Sequence, residues 1–266
     1  MKKTVVITGS SRGLGLELAR GFAREGYRIV LNGTRREKLE QARQELLSLG
    51  AEVLCVTGDV SLEEDVNHLL QESVKAFGGV DIWINNAGVN QPMKALWEMQ
   101  SGEIEALLNI DLKGAILGSL AAYRQMNEQE TGGFIYNVEG YGSNDAMMRG
   151  LNLYGTCKRA ITHFTRALAK EAKEEGEKVK VGRLSPGIMI TDFTTSAFSG
   201  REKIDLPEKT KKVYNILGDR PETVAAFQVK GIVSNTKNDA HIVWLTSRKA
   251  FWRFLTCAFH KRDFFS

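Results

Sequence analysis

Residues 4–15 read Thr4-Val5-Val6-Ile7-Thr8-Gly9-Ser10-Ser11-Arg12-Gly13-Leu14-Gly15. The β-branched run at the start favours an extended strand, and its apolar interior suits a strand covered on both faces. It breaks into glycines spaced T-G-x-x-x-G-x-G, and a helical pattern, Gly15–Glu25, takes over. A strand, a glycine turn and a helix in that order let backbone approach a pyrophosphate closely. Glycine permits the sharp turn, and the free N–H groups and positive dipole end of the helix favour an anion. Thr8, Gly9, Ser11, Arg12, Gly13, Leu14 and Gly15 form the candidate phosphate cradle.

Working outward, short β-branched runs recur at Arg28–Asn32, Glu52–Thr57, Asp81–Asn85, Gly133–Val138, Val179–Ser185 and His241–Leu245. Helical patterns lie between them, among them Arg36–Leu49, Glu63–Phe77 and Gly155–Glu175. Alternation of this kind requires right-handed crossovers. The expected fold is α/β, a Rossmann-type doubly wound sheet of seven parallel strands with helices on both faces, in one domain over residues 1–266. Two stretches depart from the alternation: a polar, irregular segment, Thr194–Asp219, and a tail, 248–266, that mixes aromatic and basic residues.

The 266 residues suit one large domain better than two. A 42% hydrophobic and 26% charged composition is that of a soluble globular protein, and a net charge of +4 does not point to nucleic acid. Cys55, Cys157 and Cys257 are scattered and make neither a disulfide framework nor a CxxC metal pair. His68, His163, His241 and His260 lack ligand spacing, so no metal is expected. The apolar run after Lys2-Lys3 is too short for a signal peptide, and no stretch approaches the ~20 apolar residues of a membrane span. The expected location is the cytoplasm.

Ligands of such sheets sit at the carboxyl ends of strands. The second strand ends in Asn32-Gly33-Thr34-Arg35-Arg36, with no carboxylate to hold the ribose of NAD. Thr34, Arg35 and Arg36, with Arg12, instead suit the 2′-phosphate of NADP, because guanidinium pairs bidentately with phosphate. Asp59 and Val60 end the third strand beside a candidate adenine site. Asn86, Ala87 and Gly88 end the fourth, where small residues admit a cofactor. Pro186, Gly187 and Thr191, after the sixth, are candidates for the nicotinamide end.

Tyr154-Gly155-Thr156-Cys157-Lys158 is a Y-x-x-x-K, and positions four apart share a helix face. The Lys158 ammonium is expected to favour tyrosinate and to lower the phenol from its ordinary pKa of about 10. A phenol tuned in this way is a general acid suited to carbonyl reduction.

Together these motifs resemble the short-chain dehydrogenase/reductase family from Thr4 to about Leu245. Residues 137–143, 154–158, 184–192 and 221–225, with Trp244-Leu245-Thr246, look most like its chlorophyll b reductase branch, which reduces a formyl group with NADPH. The resemblance implies a serine about 13 residues before the tyrosine. Here that region reads Gly140-Tyr141, and the nearest serine, Ser143, is the candidate for orienting the substrate oxygen. It also implies an N-x-x-G in the fourth helix. The matching segment is Asp111-Leu112-Lys113-Gly114, which puts an aspartate in the proton path.

The resemblance further implies a substrate lid over 194–219, with Met147, Met148, Met189, Phe193 and Phe198 as candidate apolar lining, and a homodimer or homotetramer built on the fourth and fifth helices. The tail is expected to be an amphipathic helix that packs on this chain or a sister subunit rather than on a membrane. The expected activity is NADPH-dependent reduction of a small carbonyl substrate, an aldehyde or ketone, to an alcohol. The alternatives are another dehydrogenase of this family, such as a 3-oxoacyl, polyol or steroid type, or an NADP-binding regulator without turnover.

Overall fold

The computed structural model describes residues 2–197, 202–203, 206–260 and 262–265. The strands are β1 (Thr4–Ile7), β2 (Arg28–Gly33), β3 (Val53–Thr57), β4 (Ile82–Asn85), β5 (Gly133–Val138), β6 (Val179–Ser185), β7 (Ser196–Ala197), β8 (Glu202–Lys203) and β9 (Ala240–Val243). Seven of them form one parallel sheet in the order β3-β2-β1-β4-β5-β6-β9. β7 and β8 make a separate antiparallel pair.

Alternation along β1 divides the core. Val5 and Ile7 pack on one face against Leu18 and Phe22 of α1 (Gly13–Arg24), Leu39 and Leu46 of α2 (Arg36–Ser48), and Val229 and Ile232 of α9 (Pro221–Ser234). Val6 packs on the other face. There it meets Val66 and Leu69 of α3 (Glu63–Phe77), Ala121 and Met126 of α5 (Gly114–Glu128), and Leu168 and Ala169 of α6 (Asn152–Glu174). A side chain such as Leu18, wholly shut from solvent, contributes about 1.5–3 kcal/mol through burial. β1 pairs with β2 on one side and β4 on the other, so the winding reverses there and a crevice opens at the strands' carboxyl ends.

α4 (Ser101–Leu107) runs into α5 through a wider, π-helical turn (Leu108–Lys113), which the sequence pattern did not suggest. Such turns often mark functional sites. The segment read as irregular and polar, Thr194–Asp219, takes in the end of α7 (Asp192–Thr195) and all of α8 (Glu208–Leu217). The charged first half of α8, Glu208 to Lys212, hides from the sequence a second half that is partly buried. Of the residues expected to line an apolar pocket, Phe198 lies outside the described residues. The tail forms α10 (Ser247–Thr256), but its stripe does not pack on this chain. Phe251, Trp252, Phe254 and Leu255 stay exposed, and Phe259 is 85% so. Among the described residues no helix is long and apolar enough to cross a membrane.

Candidate active site

A cleft of about 950 Å³ opens over the carboxyl ends of β1, β2, β4, β5 and β6. Gly9, Ser11, Arg12, Gly13 and Leu14 of the first turn line it, as do Thr34, Arg35, Asp59, Val60, Asn86, Ala87, Gly88, Tyr154, Lys158, Pro186, Gly187 and Thr191. Sequence spacing therefore located most of one continuous surface.

Thr8, Gly15 and Arg36 are absent from that lining, each for a physical reason. The Thr8 hydroxyl accepts the backbone N–H groups of Asn86 and Ala87, both at 3.0 Å. Asn86 returns its side-chain amide to the carbonyls of Thr8 and Gly9 at 2.9 and 3.1 Å. Thr8 and Asn86 thus staple the first turn to the end of β4. Gly9, at φ 62°, is required there: a Cβ would stand 2.7 Å from the Ala87 Cα. Gly15 packs against the same staple from inside α1. Arg36 opens α2 and faces a shallow hollow on that helix's own surface.

The arrangement fits a nicotinamide dinucleotide. Open space lies over Gly13 at the start of α1. The Oδ1 atom of Asn32, a cleft residue, is buried without a hydrogen-bond partner. Arg12 and Arg35 both line the cleft, the residues directly after β2, Thr34 to Arg36, carry no carboxylate, and Arg12 also pairs with Asp192 at 3.3 Å.

At the other end, Tyr154 and Lys158 lie on the first turns of α6 and are almost shut from solvent, at 7% and 5% exposure. The Tyr154 backbone N–H donates to the wholly buried Gln91 at 2.9 Å, a support sequence reading did not anticipate. The Lys158 Nζ lies 5.4 Å from the Tyr154 ring centre and 3.3 Å from Asp111 Oδ2. Asp111 sits in the π-helical turn with no solvent exposure; its Oδ1 accepts the Val89 N–H at 2.7 Å, and its Oδ2 makes no directed hydrogen bond. Burial raises the Asp111 carboxyl above its usual range, with Lys158 opposing. Burial is the largest influence and works against the Lys158 charge, but Asp111 and Tyr154 together outweigh it and raise that pKa.

The expected lowering of the Tyr154 pKa does not hold in the free protein. Burial pushes the phenol up to about 12; Lys158 pulls it down, and Asp111 adds to the rise.

Ser143 stands apart from the cleft lining. Its hydroxyl accepts the Gly140 N–H at 3.2 Å and donates to the Lys158 carbonyl at 3.4 Å, which closes the turn after β5 and ties it to α6. The residue nearer the expected spacing, Tyr141, does line the cleft. So do Met148, Met189 and Phe193, whose ring lies 5.9 Å from that of Tyr154. Met147 is 91% exposed and does not.

Glu139 is a further cleft residue that the motif reading left without a role. It is buried and accepts the Thr162 hydroxyl at 2.8 Å and the Ser185 hydroxyl. His241 Nε2 lies 2.9 Å from it and 2.7 Å from Ser185. Burial raises the Glu139 carboxyl, but His241 and Ser185 outweigh it and hold it at about 2. Among the described residues no three His, Cys, Asp or Glu side chains come together as metal ligands would.

The fold, the glycine turn and the buried Tyr154–Lys158 pair define an oxidoreductase of the short-chain class. The chain belongs to the short-chain dehydrogenase/reductase family, whose model matches residues 3–202, described as short chain dehydrogenase. Within it the chain falls in the chlorophyll b reductase branch. It is 34% identical over 242 residues to the probable chlorophyll(ide) b reductase NYC1, chloroplastic, of Arabidopsis thaliana, covering 84% of this chain but 46% of that protein. It is 32% identical over 254 residues to the chlorophyll(ide) b reductase NOL, chloroplastic, of the same plant, covering 93% of this chain and 71% of the relative. The chain thus spans about half the length of the first relative. Among solved structures, an alcohol dehydrogenase from Thermococcus sibiricus complexed with 5-hydroxy-NADP is 26% identical, with a TM-score of 0.76 over 93% of this chain and 97% of that one.

Proposed function

We propose that the protein reduces an aldehyde or ketone to an alcohol with NADPH. The observation that carries this reading is the buried Tyr154–Lys158 pair lining the cleft, with Asp111 paired to the lysine behind it. The cofactor supplies the hydride, and this chain's residues do the rest. The Tyr154 phenol, protonated at neutral pH, donates its proton to the carbonyl oxygen as negative charge develops there. Lys158 stabilises the tyrosinate left behind, and Asp111 keeps that lysine charged at a buried position. Phe193, Met148 and Met189 supply an apolar wall that excludes water and suits a flat or hydrophobic carbonyl compound.

NADPH is favoured over NADH because Arg12 and Arg35 meet the cleft where a carboxylate would be needed for NAD. A formyl chlorin is the first substrate to try, since the branch relatives are chlorophyll(ide) b reductases. A small diketone is the second, since a diacetyl reductase of Staphylococcus epidermidis is 32% identical over 196 residues.

The test is NADPH oxidation against chlorophyllide b, diacetyl and a broad carbonyl panel, with Tyr154→Phe in parallel. Turnover that falls at least about a hundredfold in the variant supports the reading. Tight NADPH binding with no turnover on any member would replace it with a cofactor-binding regulator.

A further inference from the structure

One carboxylate outside the catalytic line gathers an unusual number of donors. Asp219, which follows α8, is buried. Arg253 of α10 grips both its oxygens, at 2.6 and 3.0 Å. The Trp244 indole N–H donates at 2.6 Å and Arg262 at 3.3 Å. The backbone of Asp219 is bound as well: its N–H donates to the Ile188 carbonyl at 3.0 Å, and its carbonyl accepts the Ile190 N–H at 3.2 Å. Ile188 and Met189 line the cleft. Asp219 therefore ties the C-terminal segment to the loop beside the nicotinamide end.

The same segment runs along the end of α8. Arg262 donates to the carbonyls of Gly218, at 2.9 Å, and Ile216. Arg253 donates to the Leu217 carbonyl at 2.8 Å. The Phe264 N–H donates to the Asn215 side chain at 2.9 Å. The Phe265 ring lies 6.4 Å from that of Tyr214. These partners take up the carbonyls that the last turn of a helix leaves open. Tyr214, on α8, lines the cleft, and its phenol is near enough to oppose ionisation of Tyr154.

We infer that Tyr214 contacts the substrate, and that a C-terminal strap knotted on Asp219 sets its position. A hydroxyl in this place has work to do, because the Ser143 hydroxyl is engaged by the Gly140 N–H and the Lys158 carbonyl and does not line the cleft. Tyr214 supplies a second donor to the carbonyl oxygen, or to a polar group beside it, opposite Tyr154. Substrate fit is thereby governed in part by Arg253 and Arg262, which never touch substrate. The inference rests on the carbonyl-reductase reading.

The full-length chain with Tyr214→Ala, Arg262→Ala and the double variant tests it, with Phe265→Ala as a milder probe of the strap. Three quantities are read: KM and kcat for whichever member of the carbonyl panel the wild type reduces, NADPH affinity, and amide exchange in residues 208–219. Arg262→Ala should speed that exchange and raise KM about tenfold while NADPH affinity stays within about twofold. The double variant should be no worse than Tyr214→Ala alone, because both changes act on one contact. Additive losses, or an unchanged KM in Tyr214→Ala, overturn the inference, since a strap that only stabilises the fold would leave the two changes independent. If the wild type reduces no member of the carbonyl panel, the reductase reading falls, and unchanged exchange in Arg262→Ala still refutes the strap on its own.

Discussion

The ammonium of Lys158 stands 3.3 Å from the carboxylate of Asp111, and exposure is 5% for the lysine and nil for the aspartate. A buried charge of this kind survives only when it is paired. Asp111 raises the Lys158 pKa and works against ionisation of Tyr154, which Lys158 favours. In Asp111→Asn the carbonyl stays but the charge goes. Tyr154 then ionises more readily, and the rise of alcohol oxidation with pH should begin at lower pH than in the wild type. The uncompensated lysine should also cost about 3 kcal/mol of stability. Oxidation rates over a pH series, read beside denaturant curves, check both effects. A pH profile that does not move would mean the carboxylate leaves the phenol's proton untouched.

Cofactor choice is expected to hang on Arg12 and Arg35 and not on Arg36. The first two line the cleft, whereas Arg36 faces the surface of its own helix. A charge-assisted hydrogen bond is worth about 1.5–3 kcal/mol, so Arg35→Ala should weaken NADPH binding by roughly 10- to 150-fold. NADH, without the 2′-phosphate, should be affected only a few-fold. Arg36→Ala should bind both cofactors as the wild type does. Titration of protein fluorescence with the two cofactors separates these cases, and an equal loss of NADH affinity in Arg35→Ala would remove the phosphate contact from the account.

Local pattern carried most of this site because strands, glycine turns and the i to i+4 spacing are local. The seven sheet strands agree with the periodicity to within about two residues at each end, and the motifs at their ends converge because a parallel sheet puts those ends on one side. What stayed hidden depends on distance in sequence. Gln91 supports the Tyr154 backbone across 63 residues, and Glu139 meets His241 across 102. The π-helical turn around Asp111 leaves no period that a pattern can detect. Serine spacing pointed to Ser143, but the turn at Gly140 folds that hydroxyl back onto its own loop. An aromatic stripe in the tail predicted packing on this chain or a sister subunit; within this chain the segment is held by arginines gripping Asp219, and its rings remain outside.

Glu139 should make the protein acid-sensitive in a defined window. Its folded pKa, about 2, lies below its ordinary value of 4.5. A depressed carboxylate contributes stability that is fully present above the ordinary value and is lost as pH falls toward the folded one. The shift corresponds to about 3 kcal/mol, and the group is almost wholly buried, so little of that is screened. Glu139→Gln should therefore be about 3 kcal/mol less stable than the wild type at pH 6, and the gap should close between pH 4.5 and 2. Urea unfolding at four pH values across that range measures it. A gap that stays constant with pH would assign the loss to packing or to the geometry of the hydrogen bonds with Thr162 and Ser185.

Gly140 gives the sharpest test of where the phenol must be. Its backbone lies outside the left-handed region, so alanine is locally tolerated. Yet a Cβ there would stand 2.2 Å from the Tyr154 hydroxyl and 3.1 Å from Lys158 Cγ. Something must shift, and the far end of Tyr154 is the atom in the way. A displacement of about 1 Å at a reacting group can cost on the order of a hundredfold in rate. Gly140→Ala should therefore lower kcat by about that factor while NADPH affinity, set at the other end of the cleft, is kept. Gly140→Ser, although it adds a hydroxyl near the position the family favours, should do no better, since its Cβ meets the same obstacle. Single-turnover reduction with saturating NADPH reads the chemical step directly. Full activity in either variant would mean that the phenol has room to move aside, and that its placement against Gly140 does not govern the proton transfer.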